Sequence, residues 1–108
     1  MSAQDIQATL LELTASACCD CVNSYVKDSA RLIVCGGGAF NQRLMQRLQM
    51  LLPTHRLVSS AEAGLPPQQV EAAAFAWLAR KTMHREALSL ENITGAKGAR
   101  VLGAIYPA

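Results

Sequence analysis

A chain of 108 residues, 51% hydrophobic and 17% charged, is long enough for one domain with a core and too apolar for a disordered segment. Its longest uncharged stretch, Leu32 to Gln42, falls far short of the roughly 18 to 20 residues of a membrane helix. A net charge of +2 and sparse aromatics argue against a phosphate-backbone groove or a base-stacking platform, so no nucleic-acid partner is expected.

Met-Ser-Ala-Gln-Asp at the N-terminus has no basic start and no apolar run, so no signal peptide is expected and the chain reads as cytoplasmic. Ser2 to Asp5 reads as a capping box, opening a helix over roughly residues 3–27. Along it Ile6, Leu10, Leu13, Ala17, Cys21 and Tyr25 recur at steps of three or four. That spacing predicts the face turned to a core. Arg31 to Cys35 is a short, nearly unbroken apolar run and reads as a strand buried on both faces. Gly36, Gly37 and Gly38 break it. Asn41 then caps a second helix, packed through Leu44, Met45, Leu48, Leu51 and Leu52 and stopped by Pro53. His55 to Ser59 reads as a second strand, Gly64 to Pro67 as a turn, and Val70 to Met83 as a third helix. Beyond Asn92 the glycines leave a loop, with a weak strand candidate at Arg100 to Ile105. The order is α/β, and two good strands are few for a self-sufficient sheet.

Cys18 and Cys21 form a C-x-x-C, but no second pair completes a zinc site, and His55 and His84 lack supporting spacing. A redox pair belongs at a helix N-terminus, whereas this one falls mid-helix. Packed small side chains are the expected role, no metal ligand is assigned, and free thiols suit a reducing compartment.

Two features point to chemistry. Three glycines between a strand and a helix start permit close backbone approach and positive φ, and the helix start offers free amides to a nucleotide. The spacing matches neither a dinucleotide fingerprint nor a P-loop, so a plain tight turn stays open. Glu71 shares a helix face with Ala74, Phe75 and Leu78. A carboxylate on an apolar stripe is paired, solvated in a cleft or used, unless it is a first-turn residue favoured by the helix dipole.

Cys35-Gly-Gly-Gly-Ala-Phe-Asn41, Glu62-Ala-Gly-Leu-Pro66, Glu71-Ala-Ala-Ala-Phe-Ala-Trp-Leu-Ala79, Thr94-Gly-Ala96 and Leu102-Gly-Ala-Ile-Tyr-Pro107 together resemble the C-terminal part of the anhydro-N-acetylmuramic acid kinase family. Phe40 departs from the pattern, where the family often has His, so no side-chain role carries over to it. The resemblance implies that residues 1–108 form a single lobe with an incomplete sheet, the C-terminal lobe of an actin-like ATPase and sugar-kinase (ribonuclease H-like) fold. It implies ATP and Mg2+ as cofactors, with the magnesium ligands mainly in a lobe outside this chain. Gly36, Gly37, Gly38 and Asn41 are implied in binding adenosine, and Glu71 in the sugar cleft. The implied reaction opens the anhydro sugar with water and phosphorylates it to N-acetylmuramic acid 6-phosphate, in cell-wall recycling. A homodimer is implied for the full-length protein. The phosphate-binding loop and catalytic aspartate of the family have no counterpart here, so the isolated chain is expected to be inactive. The alternative is a non-catalytic nucleotide-binding or assembly module built on the same lobe.

Overall fold

The computed structural model describes residues 2–107. They divide into two compact units, Met1–Val70 and Glu71–Ala108.

The first unit opens with helix α1, Ala3–Tyr25. Its capping box is formed: the Asp5 amide donates to Ser2 Oγ at 3.2 Å, and the Ser2 amide donates to the Asp5 carboxylate at 2.8 Å. These bonds satisfy two amides and hold the Asp5 carboxyl below its ordinary range. Strand β1, Arg31–Val34, follows, then helix α2, Gln42–Leu51, and strand β2, Arg56–Ser59. The strands pair in parallel, with Leu32 opposite Leu57 and Ile33 opposite Val58. A parallel pair needs a crossover, and α2 is that crossover. Asn41 caps it by accepting the Leu44 amide at 3.1 Å.

The core is where α1, α2 and the sheet meet. Ala15 and Cys19 of α1 pack against Leu48 and Leu52, with Val22, Leu32, Leu44, Leu51 and Leu57 around them. Small residues on α1 leave room for the leucines of α2. Losing one such leucine side chain costs about 2–5 kcal/mol.

Two polar clamps fix the arrangement. Arg47 of α2 grips Glu12 of α1 through two parallel bonds of 2.7 and 2.6 Å. The other clamp closes the crossover. Gln49 donates to the carbonyls of Leu52 and His55 and accepts the Leu57 amide, while buried His55 accepts the Ala30 amide through Nδ1. One glutamine and one histidine thereby satisfy backbone groups that the turn into β2 would otherwise strand.

Three expectations are corrected here. β1 is not buried on both faces: Leu32 and Val34 are half-buried, while Arg31 and Ile33 are exposed. On the face away from α1 and α2, Ile33 stays exposed although its register partner Val58 is buried. The packed face of α1 runs through Ala15, Cys19 and Val22, whereas Ile6, Leu10, Leu13, Ala17, Cys21 and Tyr25 are exposed. The helix has two apolar stripes, and the one with smaller residues allows the closer approach to α2. Of the C-x-x-C cluster Cys19 alone is buried, with Cys18 and Cys21 exposed, because steps of one and two residues rotate them by about 100° and 200° from Cys19.

The second unit holds most of helix α3, Val70–Met83, and the short helix α4, Glu91–Thr94. At the end of α3, Arg85 takes a left-handed conformation (φ 54°). The Glu86 amide reaches the Lys81 carbonyl and the Arg85 amide the Thr82 carbonyl, a helix-ending motif that usually takes glycine. Lys81 also pairs with Glu86 and lies 5.5 Å from the centre of the Trp77 ring. The strand expected at Arg100 to Ile105 does not form. A single antiparallel bridge joins Leu88 to Arg100. Gly103, at φ 84°, then bends the run, and Thr82 Oγ1 bonds the Leu102 carbonyl. The segment Leu102–Ile105 and the α3 residues Phe75, Leu78, Ala79, Thr82 and Met83 line one apolar groove.

The Glu12–Arg47 pair makes stability depend on acid. The guanidinium holds the Glu12 carboxyl below its ordinary range, so the pair stabilises the fold above the unfolded-state value, and that contribution is lost as pH falls through the lowered one. Glu12→Gln should therefore flatten the acid side of a stability–pH profile measured by urea unfolding. An unaltered acid limb would show that the pair contributes nothing.

Candidate functional site

β1 and β2, being parallel, end at the same edge of the sheet, and ligands of open α/β sheets bind outside the carboxyl ends of the strands. β1 runs through Cys35 into Gly36, whose backbone sits at φ 78°, ψ −178°, a region essentially restricted to glycine. Gly37–Phe40 then form a single 3₁₀ turn. The Ala39 amide donates to the Gly36 carbonyl at 3.2 Å and the Asn41 amide to the Gly38 carbonyl at 3.0 Å. The Gly36 amide donates to the Pro67 carbonyl at 2.9 Å, tying the turn to the segment that leads into α3. Gly36, Gly37, Gly38 and Asn41 are thus brought together as one structure.

The glycines are not equivalent. A Cβ at Gly36 meets no atom, but the backbone conformation itself excludes side chains. At Gly38 a Cβ would meet Leu44 Cδ2 of α2 at 3.4 Å, an ordinary van der Waals contact. Gly37 has neither feature: its φ lies outside the left-handed region and a Cβ there meets open space. The expectation of positive φ therefore holds for Gly36 alone. A glycine that the fold does not require, facing open space at the end of a sheet, fits a close backbone approach by a ligand. Asn41 has a local duty, since its Oδ1 already accepts the Leu44 amide and occupies one of the amides offered at the start of α2.

At the carboxyl end of β2, Ser59 accepts the Ala61 amide through Oγ, and Ser60–Ala63 form a second 3₁₀ turn packed against both strands. Ser60 is buried, and its Oγ has no hydrogen-bond partner among the described residues. A buried, unpaired hydroxyl at this edge is a polar group that sequence reasoning missed, and nothing in the local pattern announces it. Glu62, exposed, lies 3.7 Å from Arg56. A broad hollow of this unit lies elsewhere, between α1 and α2, lined by Gln4, Gln7, Leu11, Arg43, Gln46 and Arg47. Its Glu12 and Arg47 already satisfy each other, whereas the strand-end turn leaves backbone uncovered, so the turn is the better candidate.

Glu71 stands in the first turn of α3, exposed and in the second unit, whereas the glycine turn belongs to the first. It enters no ion pair among the described residues. Phe75 and Leu78, which share its face in the sequence, line the apolar groove of that unit, and Glu71 does not. Among the described residues no three His, Cys, Asp or Glu side chains gather closely enough to hold a metal ion.

The turn makes a two-sided prediction about stability. Gly36→Ala should cost about 1–3 kcal/mol in urea unfolding. Gly37→Ala should be neutral or stabilise by up to about 1 kcal/mol, through a less flexible unfolded chain. Equal costs would show that the two glycines have the same structural role.

The whole chain, residues 1–108, matches the family model described as anhydro-N-acetylmuramic acid kinase. A relative so named from Albidiferax ferrireducens is 66% identical over 104 residues, covering 96% of this chain and 27% of the relative. One from Variovorax paradoxus is 61% identical over 104 residues, 96% of this chain and 28% of the relative. One from Pseudomonas paraeruginosa is 45% identical over 108 residues, 100% of this chain and 30% of the relative. The chain therefore spans less than a third of the length of these relatives. With its full length matched and identities up to 66% among these relatives, the chain belongs to the anhydro-N-acetylmuramic acid kinase family.

Proposed function

We propose that this chain is the C-terminal portion of an ATP-dependent amino-sugar kinase that opens anhydro-N-acetylmuramic acid with water and phosphorylates it to N-acetylmuramic acid 6-phosphate in cell-wall recycling. The observation that carries this reading is the Gly36–Asn41 turn, placed at the carboxyl end of a parallel strand, with Gly37 facing open space. The same reading takes the lobe as part of an actin-like ATPase fold, working in the cytoplasm as a homodimer of the full-length kinase. Four free thiols, three of them exposed, are consistent with that compartment.

The turn suits adenosine. Gly36 aims the chain, Gly37 leaves its backbone accessible and the Gly38 carbonyl accepts the Asn41 amide. ATP, when bound, supplies the phosphoryl group. The described residues offer no cluster that could hold magnesium, and its ligands would come from the portion of the kinase outside this stretch. Glu71 has a solvent-facing carboxylate at the start of a helix. In the sugar cleft its oxygens would accept a proton from the attacking water or hold a substrate hydroxyl.

The test uses the full-length Albidiferax ferrireducens relative with its matching stretch replaced by this chain. Glu71→Gln keeps size and hydrogen-bonding atoms and should lower turnover about ten- to a thousand-fold, the scale of a general acid–base or positioning group. Normal turnover would remove Glu71 from the site. Gly37→Val should weaken ATP binding in calorimetry and leave sugar affinity unchanged, because the fold has room for the side chain and the ligand does not. Undiminished ATP affinity would reduce the turn to a structural one.

The isolated chain should show no kinase activity, since phosphoryl transfer depends on positioning groups from both sides of the phosphates. Steady phosphorylation of the anhydro sugar by the purified chain would overturn that expectation.

A further inference from the structure

Helix α1 carries two apolar stripes, and the first unit uses one. Ala15, Cys19 and Val22 pack into the core. Ile6, Leu10, Leu13, Ala17, Cys21 and Tyr25 lie about 150° around the helix from them, at 100° per residue. All six are exposed, Leu13 at 65% and Tyr25 at 86%. The stripe runs about 28 Å along the axis at 1.5 Å per residue. No charged residue falls within it: Asp5 and Glu12 lie on a third side, and Asp20 borders the stripe beside Leu13. An uncharged stripe of this length on a soluble helix marks a contact surface.

We propose that this second face of α1 is the docking surface for the portion of the kinase chain that the relatives carry outside the stretch matched here. The proposal rests on the kinase reading above. Two observations select this occupant over a second copy. The matched relatives are more than three times as long as the stretch they share with this chain, which spans 27–30% of them. The sheet is also small: among the described residues it has two strands, and on the face away from α1 and α2 Ile33 is 47% exposed beside buried Val58. A twofold contact along α1 would leave Ile33 and the sheet edges as they are, whereas a body of the missing size can reach both.

Cys21 lies on the stripe and serves as its reporter. The purified chain is mixed with a polypeptide comprising the unmatched part of the Albidiferax ferrireducens relative, and alkylation of each cysteine is followed by mass spectrometry. On complex formation, Cys21 should react at least tenfold more slowly. Leu10→Asp with Leu13→Asp should raise the dissociation constant at least tenfold with helix content unchanged by circular dichroism. The milder Leu10→Ser with Leu13→Ser serves if the charged pair disturbs folding. A complex in which Cys21 keeps its free rate overturns the proposal, as does failure to associate. So does concentration-dependent protection of Cys21 in the chain alone, which would make a second copy the occupant. The kinase reading separates cleanly from this one. A phosphorylating complex with unprotected Cys21 keeps the kinase and rejects the surface, and a protected but inactive complex does the reverse.

Discussion

Parallel pairing of β1 with β2 is the constraint from which the first unit follows. Two parallel strands cannot be joined by a hairpin, so the chain must travel back along the sheet between them. Residues 35–55 make that journey, and every element in them has a task. Gly36 turns the chain out of the strand, Asn41 starts α2, and α2 supplies the leucines of the core. Gln49 and His55 return the chain to the sheet by pairing backbone groups on both sides of the turn. Parallel pairing also puts the two strand ends on one edge, which is why a glycine turn and a serine turn arrive at the same place.

Much of this was legible in the residues because it is local. The capping box at Ser2, the cap at Asn41 and the span of α3 depend on neighbours within one turn of helix, and each forms where the pattern predicts it. What was not legible depends on partners distant in sequence. Periodicity identified an apolar stripe on α1 but could not choose between two, since the choice lies with the leucines of α2. The apolar run at β1 promised burial on both faces, yet burial requires a second covering layer that a run of four residues cannot specify. At the C-terminal end, Arg100 to Ile105 was a weak strand candidate, and the chain instead bends at Gly103, with Thr82 bonded to the Leu102 carbonyl. For the site, the three glycines were readable as a group, but their division of labour was not. It follows from where the backbone turns and where Leu44 packs.

That division bears on how the turn is to be understood. A glycine run is commonly treated as one flexible element, yet flexibility describes none of these three positions. Gly36 is held by its conformation and by the bond to Pro67, and Gly38 by its carbonyl, which accepts the Asn41 amide. Between two fixed positions, Gly37 is left with an accessible backbone in a set orientation. Binding to a preformed backbone surface avoids the entropy of ordering a loop, so the rigidity of its neighbours is what makes Gly37 useful.

The distribution of apolar side chains carries the same logic to the whole chain. Half of its residues are hydrophobic, yet the buried apolar residues among those described are Ala15, Cys19, Leu48, Leu52 and Val58. Among the described residues no large side chain is fully buried. Hydrophobic stabilisation scales with apolar area removed from water, so a composition this apolar with so small a core leaves much of its driving force unspent. The unspent part is ordered: an uncharged stripe on α1 and an exposed Ile33 on the two-stranded sheet. Scattered apolar residues on a surface need no explanation, but a helical stripe beside a two-stranded parallel sheet has the geometry of a core cut through. On the proposed reading, the sequence encodes one side of a larger packing problem, to which the portion of the kinase outside this stretch supplies the other.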